Sequence, residues 1–409
     1  MNITLRLAWR NLWRQPRRTW LTIGAMVFSN VLLVFMISLQ FGMYGLMIDN
    51  TLQVFSGHMQ VQAPGYIDDQ KMRQVVPDVQ PLAARLRSEL DSDTIAARGW
   101  AFGLASSEER SYGIGIYGVE PGFEPNVSNI PGLVEEGSYL DDPSGYDIII
   151  GSVLARNLRV GVGDEITVLG SGVDGSFAAA VLQVKGVFRS GVKDIDRNIA
   201  EIPLATFQEI FYMEGAGHQV VITAPSLSEA PMLQSRVEAA VAGLHDLVVH
   251  DWDALQPGLK QMIQADMSSA FFMYAILVIL VAFSVLNTQL MSVLERTHEF
   301  GVVMALGMKP GRLGRLVLLE TAMMGMLGLF LGAIAGAALT IWLGIRGYTV
   351  PGMEEMAAQF NLPGRIYPEA TVLSTLLGPL VVFVFTVLAA VYPAWRLRKL
   401  HPVEAMRTN

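Results

Sequence analysis

The chain has 409 residues, 52% hydrophobic and 16% charged, with a formal net charge of −8. It is too apolar for an ordinary soluble protein, and its polar middle is too long for a chain that lies wholly in a membrane. Cysteine is absent, which excludes disulfides, thiolate metal sites and a lipidated N-terminal cysteine. The charge is unevenly spread. Residues 49–266 hold 30 Asp and Glu against 14 Lys and Arg, or −16, and the remainder holds 7 against 15, or +8. The two parts face different environments, and the acidic one lacks the basic surface of a nucleic-acid binder.

Residues 1–18 carry Arg6, Arg10, Arg14, Arg17 and Arg18 and no acid, interleaved with Leu5, Leu7, Trp9, Leu12 and Trp13. This reads as an amphipathic interfacial helix with Trp and Arg at headgroup level. A signal peptide begins similarly, but no small-residue cleavage site follows and the apolar run is too long. Residues 19–48 contain no charge over 30 positions. About 20 suffice to span a bilayer, so the first span is long enough to continue as a stalk.

The stretch 49–266 alternates strand and helix signals. Strands are expected at 54–62, 114–119, 147–150, 164–169, 179–188, 199–203, 218–224 and 246–251, with helices at 80–90, 152–158, 204–212 and 226–243. This is an α+β region of one or two domains.

Further spans are expected at 267–294, 316–345 and 370–395. Four spans put both termini on one side of the membrane. The Arg and Lys excess in residues 1–18, 295–315 and 396–409 places that side in the cytoplasm, with 49–266 and the loop 346–369 outside. Gly328, Gly332 and Gly336 form a small-residue ladder suited to close helix packing, or a Gly-rich lipid face. Gly378-Pro379 suggests a kink in the fourth span. Met353, Met356 and Phe360 share one face of a short helix in the outer loop.

Between the second and third spans, residues 295–315 are charged at both ends and apolar in the middle. Phe300, Val303 and Met304 recur at helical spacing, Gly307 suits a C′ position, and Pro310 suits the start of the next helix. A short rigid helix along the membrane face fits this pattern, as does an ordinary basic loop.

Arg296-Thr-His-Glu-Phe-Gly followed by Ala-Leu-Gly resembles the coupling segment of the MacB/FtsX-type permeases of ABC transporters. Two further stretches agree, Leu7-Ala-Trp-Arg-Asn-Leu-Trp-Arg-Gln-Pro-Arg-Arg-Thr and Tyr392-Pro-Ala-Trp-Arg-Leu-Arg-Lys-Leu-His-Pro-Val-Glu-Ala-Met-Arg. The resemblance spans the chain in order and is closest to the lipoprotein-releasing (LolC/LolE-like) group. It implies an α-helical membrane protein of four spans. A large extracytoplasmic α+β domain, porter-like with a Sabre-like insert at about 132–215, would lie between the first two. It implies a bacterial inner-membrane location and a cytoplasmic ABC ATPase dimer that binds ATP and Mg, with no cofactor in this chain. A second permease (itself or a paralogue), membrane lipids and a possible periplasmic partner complete the assembly.

In such permeases, mechanotransmission drives extraction or export of a lipoprotein or another periplasmic or lipidic substrate. The resemblance assigns ATPase coupling to Glu295, Arg296, His298, Glu299, Phe300, Gly301 and Met304. The Met- and Phe-rich outer halves of the first two spans give Phe35, Met43 and Met273 as candidate substrate-lining residues. The alternative is an FtsX-like regulator of a periplasmic cell-wall hydrolase, whose outer domain is usually smaller. A third reading is a sensor or scaffold without an ATPase.

The chain shows no enzyme signature of its own. It has no P-loop, and His298-Glu299 opens a zinc-protease pattern that Val302 breaks. His218, His245 and His250 are scattered, and the acid pairs Asp194/Asp196 and Asp251/Asp253 suit exposed strand ends or loops. Glu320 sits within snorkelling reach of the interface and reads as structural. Residues 170–177 form a short loop with three glycines and no proline or base. That composition suits a plain hairpin and not a rigid hook for a lipoprotein carrier.

Overall fold

Four helices are long and apolar enough to cross a membrane: Pro16–Ser56, Pro257–Glu295, Pro310–Arg346 and Val372–Arg396. The computed structural model describes residues 3–244, 246–349 and 365–397. The helix expected around Met353, Met356 and Phe360, His245, and the tail beyond Leu397 lie outside the described residues. The chain divides into two compact units. Among the described residues, a membrane unit comprises 3–44, 262–349 and 365–397, and a sheet unit comprises 45–244 and 246–261.

In the membrane unit, the N-terminal helix Ile3–Leu12 precedes the first span, an α-helix over Pro16–Thr51. At 1.5 Å per residue its 36 residues measure about 54 Å, well beyond a hydrocarbon core of about 30 Å. The first span is central. Ile23, Met26 and Leu33 pack in one cluster with Val278, Val281 and Val285 of the second span, Met324 of the third and Val382 of the fourth. The glycine ladder of the third span faces it: a Cβ at Gly328, Gly332 or Gly336 would collide with Met26, Asn30 or Val34, respectively. Both rows advance four residues at a time in the same direction, so the two helices run parallel with matched ridges. Asn30 Nδ2 donates to Gly328 O at 3.1 Å, a contact that only this close approach permits. The second span is held near its other end by polar contacts. Tyr44 donates to Asp266 at 2.5 Å and Tyr274 donates to Gln40 at 2.8 Å. Helical structure in the fourth span continues through Pro379 and ends at Ala389, where the next helix, Val391–Arg396, begins.

The sheet unit is built on ten strands: β1 Met59–Gln62, β2 Ile95–Ser106, β3 Ser111–Val119, β4 Val134–Gly137, β5 Asp147–Gly151, β6 Glu165–Ser171, β7 Phe177–Phe188, β8 Ile199–Pro203, β9 Gln219–Ile222 and β10 Val248–Asp251. Their order is β10-β1-β9-β2-β3-β8-β5-β7-β4, with β6 bridging β2 and β7. Strands β4, β5, β7 and β8, from the stretch expected to form the insert, occupy one end of that order. β6 and β7 close as a tight hairpin, Ser171 opposite Phe177, with Gly172 N bonded to Ser176 O at 2.9 Å. The turn is pinned by Val173 N to Phe211 O at 3.0 Å.

The strand expected at 54–62 begins only at Met59, because Leu52–Ser56 is a π-helical turn. β2 was absent from the pattern because its sequence, IAARGWAFGLAS, is rich in Ala and Gly, poor strand formers. One of its two glycines has a packing cause in Phe207. Gly99 lies opposite Gly118, and the Phe207 ring occupies the space that a Cβ at either would need.

One face of the sheet carries aliphatic side chains such as Met59, Val61, Ile95, Ile116, Val220 and Ile222, buried with Leu86, Phe207 and Val237 from helices. The opposite face is polar at its centre. Gln62 lies opposite Gln219, which lies opposite Arg98, while Trp100 lies opposite Tyr117, which lies opposite Glu201. Arg98 is fully buried and pairs with Glu124 and the Phe55 carbonyl. Glu201 is also fully buried and accepts the Tyr139 hydroxyl at 2.8 Å. Burial, reinforced by the nearby Glu124 carboxylate, pushes Glu201 up to about 8.

Two expectations follow. Gly332→Leu overfills the first–third span contact and should lower the melting temperature of the purified protein by the equivalent of about 1–3 kcal/mol. An unchanged temperature would place this row against lipid. For Glu201, the folded chain holds its proton to about pH 8, whereas the unfolded chain releases it near pH 4.3. Between those values the unfolded state binds fewer protons, so this group weakens the fold as pH rises. Glu201→Gln should therefore reduce the loss of thermal stability between about pH 5 and pH 8.

Candidate functional site

The charged end of the membrane unit gathers three separate parts of the chain. The second span ends at Glu295, and Arg296 leaves helical geometry with φ −99° and ψ 9°. A short helix, Thr297–Ala305, follows. It closes as a Schellman motif: Gly307 adopts φ +98°, Gly307 N bonds Met304 O at 3.0 Å, and Met308 N bonds Val303 O at 3.3 Å. Pro310 then takes the first position of the third span.

Nine residues are too few for a helix to persist alone in water. Packing holds this one. Phe300 and Met304 are buried with Val293, Leu313, Val317 and Leu397, so one small core joins the short helix to the second span, the third span and the chain beyond the fourth.

The polar side of the helix is tied to the N-terminal segment. Arg14 grips Glu299 through two bonds of 2.8 Å, and Arg18 pairs with Glu295 at 2.9 Å. Arg296 sits at the centre: it reaches Glu299 at 3.5 Å and Glu320 of the third span at 3.4 Å, and its guanidinium lies 5.0 Å from the Phe300 ring centre. Glu320 is nearly buried, and Asn11 Nδ2 donates to its other oxygen at 2.7 Å. A polar cavity of about 200 Å³ lies beside the cluster, walled in part by Thr22, Thr288, Gln289 and Ser292. It is large enough for several waters.

This geometry separates the seven residues expected to contact an ATPase. Glu295, Arg296 and Glu299 are engaged within the chain, and Phe300, Gly301 and Met304 are buried. His298 alone among them is exposed with no partner among the described residues. It begins a row four residues apart, His298, Val302 and Leu306, in which Val302 is 41% and Leu306 83% exposed. The sequence reading omitted Val302 and Leu306, although their spacing from His298 marks one helix face. The candidate substrate-lining residues are divided as well. Met43 and Met273 are exposed on the first and second spans, while Phe35 is half-buried with its ring edge-on to Tyr348, 5.9 Å between centres. Among the described residues, no group of three His, Asp or Glu side chains is placed to hold a metal ion.

Two family models match the chain. "MacB-like periplasmic core domain" covers residues 19–240, and "FtsX-like permease C-terminal" covers residues 271–402. The lipoprotein-releasing system transmembrane protein LolC of Xylella fastidiosa (strain Temecula1 / ATCC 700964) is 25% identical over 311 residues, 71% of this chain and 72% of that protein. The uncharacterized ABC transporter permease MJ1507 of Methanocaldococcus jannaschii is 23% identical over 98% of this chain and 96% of its own length. The solved periplasmic region of MacB from Actinobacillus actinomycetemcomitans is 13% identical with a TM-score of 0.33, covering 49% of this chain and 92% of that one.

The two kinds of ion pair should respond differently to mutation. Arg14 and Glu299 are 60% and 43% exposed, so Arg14→Leu should cost under about 1 kcal/mol. Arg296→Leu strips the nearly buried Glu320 of its cation and should cost about 3 kcal/mol. Thermal denaturation of the two purified variants gives the comparison, and equal losses would mean that Arg296 does not hold this end of the unit together.

Proposed function

Because the chain belongs to the MacB/FtsX-type ABC transporter permeases, we propose that it is the membrane subunit through which a separate ATPase moves a lipoprotein or other lipidic substrate. Relatives of this kind are permease subunits and are not catalytic themselves. The ATP and Mg would be bound by a cytoplasmic ATPase dimer, and a second permease, identical or paralogous, would complete the membrane part. The stretch 132–215 is read as the family's Sabre-like insert.

The observation that carries the reading is the short helix Thr297–Ala305. It is fixed by a core on one side and by ion pairs on another, and it presents His298, Val302 and Leu306 outward. A soluble partner seated on that row would push on an element that cannot yield locally. Through Arg14 and Arg18 the push reaches the first span, and through Phe300 and Arg296 it reaches the third. This is the physical content of mechanotransmission.

The same cluster supports an orientation. Arg14, Arg18 and Arg296 meet at one end of the membrane unit, and a concentration of bases is favoured on the cytoplasmic side. Both termini are therefore assigned to the cytoplasm of a bacterium and the sheet unit to the periplasm. The second span is the least buried of the four, 17% against 44% for the first. Its exposed Phe271, Phe272 and Met273 are assigned to lipid, the second permease or acyl chains of the substrate.

The test is ATPase stimulation in the reconstituted complex. Leu306→Asp should abolish stimulation with little change in melting temperature, since Leu306 contributes almost nothing to the core. Glu299→Arg should also uncouple, and pairing it with Arg14→Glu should restore coupling if Glu299 works through its partner in the same chain. Failure of the double exchange would instead place the Glu299 carboxylate against the ATPase.

A further inference from the structure

The polar face of the sheet encloses a second feature that the transport reading leaves unused. β1 places Gln60 and Gln62 on that face, two residues apart, and β9 sets Gln219 opposite Gln62. β2 and β3 add Trp100 and Tyr117 as direct partners. The π-turn Leu52–Ser56 contributes Phe55 and Ser56. Turns of this kind are uncommon and concentrate at functional sites. Together these elements line a cleft of about 150 Å³. Five glutamines, 60, 62, 70, 219 and 256, and the rings of Phe55, Tyr66, Trp100 and Tyr117 form its walls, and no charged side chain lines it.

The hydrogen bonding inside the cleft is incomplete. Gln62 Nε2 donates to Gln60 Oε1 at 2.5 Å, and Gln60 Nε2 donates to the Ser56 carbonyl at 2.7 Å. Gln62 Oε1 and Ser56 Oγ are left without partners among the described residues, although Gln62 and Ser56 are only 3% and 8% exposed. Native folds rarely bury two such atoms close together without something that satisfies them. Burial raises the Tyr117 hydroxyl well above its ordinary value, so it keeps its proton to donate.

We propose that this cleft binds a single neutral, hydroxyl-rich ring of monosaccharide size. Amides both donate and accept, which matches hydroxyls that do the same. Aromatic faces suit the apolar face of a sugar ring. A phosphate, carboxylate or zwitterionic amino acid would bury charge that nothing lining the cleft can pair. An apolar ligand would leave the amides unsatisfied. The size admits one ring and not a chain. This assignment does not rest on the transport reading, since every residue it uses lies in the sheet unit.

The test uses the full chain in lipid nanodiscs. Glucose and N-acetylglucosamine are the probes, with glucuronate and dialanine as charged comparators. Saturation-transfer NMR should show saturable binding of at least one neutral sugar and of neither comparator. Gln62→Leu should weaken that binding by about tenfold or more, the scale of one lost buried hydrogen bond. Gln62 is part of the sheet, so two variants that spare its packing accompany it. Trp100→Phe keeps a ring, and Gln256→Leu alters a side chain that makes no hydrogen bond among the described residues. Each should weaken sugar binding by severalfold or more while lowering the melting temperature only slightly. No saturable sugar binding, binding indifferent to both of these variants, or a preference for dialanine would each overturn the assignment.

Discussion

Glu320 sets the condition that the charged end of the membrane unit has to meet. A carboxylate one-quarter of the way along an apolar helix, and nearly buried, has to be given donors from elsewhere in the chain. Asn11 and Arg296 supply them, from segments 309 and 24 residues distant. Satisfying that one group fixes the N-terminal helix beside the third span and draws Arg296 out of helical geometry where the second span ends. The break at Arg296 in turn starts the short helix, whose Phe300 and Met304 then find the apolar partners that make it stable. The exposed row His298, Val302 and Leu306 is what remains on the surface once those demands are met.

A comparable division governs the sheet unit. Its aliphatic face is a conventional core, and its stability comes from burial. The other face holds Arg98, Glu124 and Glu201 away from water, an arrangement in which desolvation consumes much of the Coulombic gain. Replacement of such a set by aliphatic residues is often neutral or stabilising. The polar face adjoins the amide-lined cleft, and apolar burial does not account for it.

Much of the architecture is legible in the sequence because it obeys simple periodicities. The spans announce themselves as charge-free runs, and the Gly307 and Pro310 boundaries follow from backbone chemistry that only those residues satisfy well. Strands β5, β7 and β8 are legible from Ile and Val runs. β2 is not, because Gly99 answers to Phe207 more than 100 residues later, a packing demand with no local trace. The π-turn at Leu52–Ser56 is hidden for a related reason: its end runs into a stretch that alternates partly as a strand would, and only the geometry of the chain entering β1 distinguishes the two.

The segment between the second and third spans illustrates the sharper limit. Its helix, its ends and its buried pair Phe300 and Met304 can all be read locally. Which of its charges point to a partner cannot, since Glu299 meets Arg14 across 285 positions of sequence. A charged residue on a short surface helix reads as available until its intramolecular partner is placed. With Glu299 and Glu295 paired to Arg14 and Arg18, His298, Val302 and Leu306 form the exposed row of the segment without ion-pair partners among the described residues. Exposed pairs contribute little to stability, but each fixes the distance between two helices. Under the proposed mechanotransmission, that fixed geometry would matter more than the energy of the pairs.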